Sequence, residues 1–145
     1  MQTRIKLILV LFLLVGVFGC KSDDDDGPTP PSAQELAFAK LVGNWTLDNG
    51  GHILVDGQDV GVNYPGFRLS FTNGGYSTIN AGALFKSSGI WSWANDTGGI
   101  IDLDDGKSIS IVSLTETAFN FTFQFAGTGG TANGVGGSYN IRLVK

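Results

Sequence analysis

Few residues in this sequence have side chains whose types and spacing suit them to chemistry, and each set has to be tried in turn. His52 is the single histidine, and no cysteine, second histidine or Gly-x-Ser-x-Gly elbow lies near it, so no triad or dyad can be written. It reads as an ordinary surface or strand-edge histidine, on or just before a strand. A zinc site built from the usual His and Cys ligands is excluded by the same shortage. Asp102-Leu103-Asp104-Asp105-Gly106 approaches a calcium loop, but the glycine arrives one place early and no acid stands where the closing glutamate belongs. The segment therefore reads as a hairpin turn with solvated aspartates. Gly106-Lys107-Ser108 lacks the upstream glycine of a phosphate loop and leads into a strand instead of a helix. Glu116 and most aspartates fall at turns, which gives no matched acid and base for glycoside cleavage. The expectation is a non-catalytic protein with no cofactor and no metal.

The aromatic residues are more informative. Trp91 and Trp93 are two apart in a strand-like stretch, hence on one face, and Phe119, Phe121, Phe123 and Phe125 repeat the same spacing. Such rings make a core, or line a pocket for a small hydrophobic ligand, with Arg68 as a polar contact near a rim. So many inward rings favour a largely filled interior with a small apolar pocket near an open end. The alternative is a filled scaffold that binds glycans or proteins through its outer face or loops.

The N-terminal residues carry the expectation of its address. Arg4 and Lys6 precede an apolar run from Leu7 to Val15, then Gly16-Val17-Phe18-Gly19-Cys20, after which the composition turns polar. That is the layout of a cleaved signal peptide, residues 1–19, and the apolar run is short against the roughly 20 residues of a membrane-spanning helix. Val17-Phe18-Gly19-Cys20 resembles the bacterial lipobox, which implies that Cys20 is lipidated and anchors the chain to a membrane. Cys20 is the only cysteine, so no disulfide forms within the chain. Asp23 to Asp26 form an acidic run that reads as a solvated spacer. The run is similar to the tether signal of surface lipoproteins of the Bacteroidota, which implies attachment to the outer membrane and display at the cell surface. Gly27-Pro28-Thr29-Pro30-Pro31 completes a stiff linker over residues 20–31. A net charge of −4 disfavours a nucleic-acid partner.

The elements that must position these residues begin at Ser32. Ser32-Ala33-Gln34-Glu35 is a capping box, and Leu36, Ala37, Phe38, Leu41 and Val42 form an apolar stripe, so a helix is predicted from Ala33 to about Val42. Beyond Gly43 the apolar period is two, with turn residues at intervals of roughly ten, the pattern of an all-β protein. Strands are predicted at 43–47, 51–56, 67–72, 76–80, 89–94, 99–103, 108–114, 118–126 and 138–144. Pro65-Gly66 suits a type II turn, while Asn73-Gly74 and Asp105-Gly106 suit tight hairpins. Residues 127–137 read as a glycine-rich, mobile loop. Residues 32–145 are therefore expected to form one small antiparallel up-and-down β-barrel of eight or nine strands, since closure removes exposed edges.

A short helix running into Gly43-Asn44-Trp45 at the head of the first strand resembles the Gly-x-Trp signature of lipocalins, and the strand meander is similar to lipocalin-like domains of bacterial lipoproteins. The resemblance implies a calycin-type barrel whose tryptophan closes one end under a late-strand arginine, a role that falls to Arg142. It also implies non-catalytic binding of a small hydrophobic ligand. The chain departs from the family in lacking a disulfide and a helix after the last strand.

Overall fold

The computed structural model describes residues 27–128 and 134–145; the predicted signal peptide, Cys20, the acidic run and residues 129–133 of the predicted glycine-rich loop lie outside the described residues. Among the described residues there is one α-helix, α1, which spans Ala33–Leu41. Ser32 caps it as its sequence predicts: Ser32 Oγ accepts from Glu35 N at 3.2 Å, and Glu35 Oε2 accepts from Ser32 N at 2.7 Å. The helix runs directly into ten short antiparallel strands. They are β1 (Gly43–Thr46), β2 (His52–Val55), β3 (Gln58–Asp59), β4 (Arg68–Phe71) and β5 (Gly75–Ile79). The second half comprises β6 (Ser88–Trp93), β7 (Ile100–Leu103), β8 (Ser108–Leu114), β9 (Ala118–Phe125) and β10 (Gly137–Val144).

Eight of these close a barrel in the order β1-β4-β5-β6-β7-β8-β9-β10, with the pair Thr46↔Val144 joining the last strand to the first. The other two prolong it. β2 runs antiparallel to β10 just as β1 does, so β1 and β2 are one stave interrupted by the excursion 47–51. β3 pairs with β2 and β4 with β1, which makes them a second interrupted stave. Neighbours in sequence are thus neighbours in the barrel, and the connections 60–67 and 126–136 link adjacent staves. The strand β3 is absent from the sequence expectation because it is two residues long and exposed at both. The tight turn ahead of it, Asp56-Gly57, has positive φ at both residues (49° and 85°), the requirement of a type I′ hairpin. At Asn73-Gly74 and Asp105-Gly106 only the glycine takes positive φ.

Period-two alternation decides what faces inward. Trp45, Ile53, Leu69, Phe71, Ile101, Ile109, Phe119, Phe121, Ile141 and Leu143 are all at most 1% exposed. The rings form a continuous column along the interior. Trp91 meets Phe71 at 5.9 Å, Phe71 meets Phe119 at 6.1 Å, Phe119 meets Phe121 at 4.5 Å, and Phe123 stacks on Tyr139 at 5.2 Å. Separations of this size are those of favourable aromatic pairs. Helix α1 covers one end of the barrel with Leu41, which is fully buried. At the other end the connections 60–67 and 80–87 fold inward and bury Tyr64, Phe67, Leu84 and Phe85.

Candidate functional site

Beneath α1, Trp45 is fully buried and donates its Nε1–H to Leu41 O at 2.8 Å, tying the first strand to the end of the helix. The cation over its ring is Lys145, whose Nζ stands 4.4 Å from the ring centroid. Arg142, expected in that role, stands on the outer face opposite Asn120 and His52. The reason is parity: Arg142 lies between Ile141 and Leu143, both fully buried, so its own side chain must point away from the interior. Lys145, just past the strand, also donates to Lys40 O at 2.7 Å and Val42 O at 2.9 Å. A cation on the last carbonyls of a helix is favourable in itself.

Three further contacts seat the helix against the barrel. Gln34 Nε2 donates to Asn95 O at 2.9 Å. The β6–β7 turn approaches so closely that a Cβ on Gly98, where φ is +66°, would lie 2.8 Å from the Ala37 Cβ. Phe38 packs on Trp91 with ring centroids 6.0 Å apart. Trp91 is in turn locked to the β4–β5 hairpin, since its Nε1–H is shared between Thr72 O at 2.9 Å and Gly75 O at 3.1 Å.

A cleft of about 350 Å³ remains between helix and barrel. Phe38, Trp91 and Trp93 form its aromatic floor, and Gln34, Glu35, Asn73 and Ser92 its rim. Trp93 meets Trp91 edge to face, 5.0 Å apart at 84°, so the two indoles make a corner and not a flat plate. Trp93 is half-buried, and no described residue accepts from its Nε1–H. Glu35 is held as a carboxylate: the Ser32 backbone N–H, and then the Ser32 hydroxyl, lower its pKa from the ordinary 4.5. The cleft thus pairs ring faces with one unused donor and a negative rim, a combination suited to a small ligand with an apolar body and polar edge.

The other sequence-selected residues are placed differently. Phe119 and Phe121 are fully buried in the ring column and line no part of this cleft. Phe123 stacks on Tyr139 toward the opposite end. Arg68 is exposed on the outer face of β4, opposite Thr46 and Ile79, because it precedes the inward Leu69; it touches neither the interior nor the cleft. His52 faces Arg142 across β2 and β10. The acids of 102–105 are each engaged locally. Asp102 accepts from Ser108 Oγ, Asp104 pairs with Lys86 at 3.1 Å, and Asp105 pairs with Lys107 at 2.5 Å. Among the described residues, no group of three or more His, Cys, Asp or Glu could hold a metal ion. Sequence reasoning selected Trp91 and Trp93 but missed Phe38, Glu35 and Asn73. In the sequence, Phe38 shows only as part of an apolar stripe and Glu35 only as part of a cap.

Compared with known families and curated proteins, the sequence matches no family model and no curated protein. The functional reading therefore rests on the fold and the cleft.

Proposed function

We propose that this chain is a lipid-anchored bacterial lipoprotein with a lipocalin-like barrel. Its activity is the non-catalytic binding of a small, largely hydrophobic ligand at the helix-capped end of the barrel and not within it. Anchoring rests on the lipobox resemblance at Cys20, and cell-surface display on the acidic run that follows. The observation that carries the binding reading is the cleft under α1. It is the place where Trp91 and Trp93, the rings selected from sequence, meet Phe38 and an unused indole donor. The filled ring column leaves the barrel as scaffold and moves the ligand to its end.

The experiment is displacement of a neutral hydrophobic dye, Nile red, from the full-length protein by monoacylglycerols of graded chain length. Trp93→Ala is expected to weaken binding about tenfold or more, a loss typical of a ring that supplies a site's main apolar contact, in a variant that still folds cooperatively. Dye binding that is indifferent to Trp93→Ala and to Phe38→Ala overturns the reading. Anchoring is checked separately: metabolic labelling with radioactive palmitate is expected to mark the native protein and not Cys20→Ala.

A further inference from the structure

A second, larger concavity lies at the other end of the barrel, in its wall. Strands β8 and β9 pair from Leu114↔Phe119 to Ser110↔Thr122, where their pairing ends although both strands continue. β8 runs back to Ser108, still paired with Asp102 of β7, and β9 runs on to Phe125, still paired with Gly137 of β10. A bulge precedes the divergence. Val112 is an extra residue between the paired Ile111 and Ser113, and a bulge bends its strand and sharpens the local twist. Two rungs beyond it the two strands diverge, and a groove of about 640 Å³ opens between them, within the range of ligand-binding pockets.

The walls of this groove have a distinct chemistry. Ser110 and Thr122 face each other across β8 and β9, and Gln124 and Ser138 across β9 and β10, all four on the outer face and all lining the groove. Their side chains make no hydrogen bond to any described residue. Each hydroxyl or amide both donates and accepts. The two ionised groups present, Asp105 and Lys107, are spent on each other at 2.5 Å, with side chains only 9% and 14% exposed. Lys107 Nζ also lies 5.4 Å over the Phe125 ring, which fixes the pair in place. An ionic ligand would have to break that pair, whereas a neutral one need not. Phe123 and Phe125 add an apolar edge.

We infer that this groove is a binding site for a neutral glycan segment. An uncharged, polyhydroxylated chain with apolar C–H faces satisfies four uncommitted hydroxyl and amide groups, leaves the Asp105–Lys107 pair intact and lies against the Phe125 edge. An extended peptide added to the diverging strands would instead use backbone groups and be insensitive to those side chains. The inference is independent of the cleft under α1.

The test uses the full-length protein in detergent, titrated with neutral hexasaccharides of glucose, mannose and xylose, with polygalacturonate and an extended threonine-valine peptide as contrasts. Binding of at least one neutral hexasaccharide is expected, with amide chemical shifts moving at Ser110, Thr122, Gln124 and Ser138. The double variant Thr122→Val, Gln124→Leu is expected to weaken it about tenfold or more, as the loss of hydrogen bonds without change of shape requires; Trp93→Ala is expected to leave it unchanged. Should the double variant fail to fold, the shift map of the native chain decides alone. Three results overturn the inference: no neutral hexasaccharide binding at millimolar concentration, shifts confined to other residues, or preference for polygalacturonate or for the peptide.

Discussion

The two ends of this barrel are sealed by different means, and the difference separates what is rigid from what is poised. At the helix-capped end the buried indoles and the last helix carbonyls are matched, and the half-buried Trp93 at the cleft keeps a donor unused by any described residue. Trp45 Nε1 meets Leu41 O, Trp91 Nε1 meets Thr72 O and Gly75 O, and the last helix carbonyls meet Lys145. At the loop-closed end Tyr139 Oη donates to Val135 O at 2.7 Å, but Tyr64 Oη, on a residue 1% exposed, has no hydrogen-bond partner among the described residues. There, too, the β8–β9 ladder ends early. A helix brings its own cap, stripe and carbonyls as a unit, whereas a lid assembled from two connections must satisfy each buried polar atom separately.

The largest break in that contrast is expected from Trp45→Ala. The substitution empties the space between Leu41 and Phe119, whose ring lies 5.5 Å from the indole, and orphans the Leu41 carbonyl. A loss of about 3–5 kcal/mol is expected, as for other buried aromatic truncations, read as the shift of the urea midpoint. A loss below about 1 kcal/mol, the size of an ordinary surface change, would mean that the helix end is not the rigid one.

A smaller effect sharpens which cation completes the helix end. Lys145→Ala is expected to cost about 0.5–2 kcal/mol, since it removes a cation from an indole face, while Arg142→Ala is expected to stay within about 0.5 kcal/mol as an outer-face substitution. The two thermal transitions measured side by side decide the point. If Arg142→Ala is the costlier, the assignment of the stacked cation to Lys145 fails.

How legible these ends were in the sequence follows the same division. The helix end is written locally: capping box, stripe, Gly43 and Trp45 lie within fourteen consecutive residues, 32–45. The strands are written by alternation, and their inner faces agree with it from Trp45 to Leu143. Even the misplaced Arg142 was decidable by parity, because a residue between two inward neighbours must face out. Lys145 was not, since its partners Lys40 and Val42 lie at the far end of the chain and meet it only after closure. The loop end left little trace. Tyr64, Leu84 and Phe85 sit in connections without periodicity, and the Val112 bulge has no residue signature to mark it. The cleft was half legible: the shared face of Trp91 and Trp93 is local, but the wall supplied by Phe38 and Glu35 depends on where α1 docks.

The loop end is also where the smallest neutral-pH effect and a distinctive pH dependence should coincide. Burial raises the pKa of Tyr64 well above its ordinary value of 10, and the neighbouring Tyr139 phenol raises it further. Burial likewise raises Tyr76, with the charges of Asp105 and Asp104 adding to it, and burial raises Tyr139. Tyr64 and Tyr139 are neighbours at that end, and the Tyr76 hydroxyl reaches from β5 to Asp104, beside the Asp105-Gly106 turn. For a group whose folded pKa exceeds its unfolded one, the stabilisation is full below the unfolded value and is lost as pH rises through the folded value. Stability is therefore expected to hold near neutrality and fall above about pH 10, the unfolded tyrosine value, with Tyr139 and its neighbours released before the helix end. At pH 7 Tyr64→Phe is expected to be neutral or slightly stabilising, because the hydroxyl it removes is buried without a hydrogen bond to any described residue. Above pH 10 the same variant is expected to unfold less steeply, having one phenol fewer to ionise. A melting-temperature profile from neutral to strongly alkaline pH tests both halves at once. A clear loss at pH 7 would show that the Tyr64 hydroxyl is a working part of the seal, and the two ends would then differ in architecture alone.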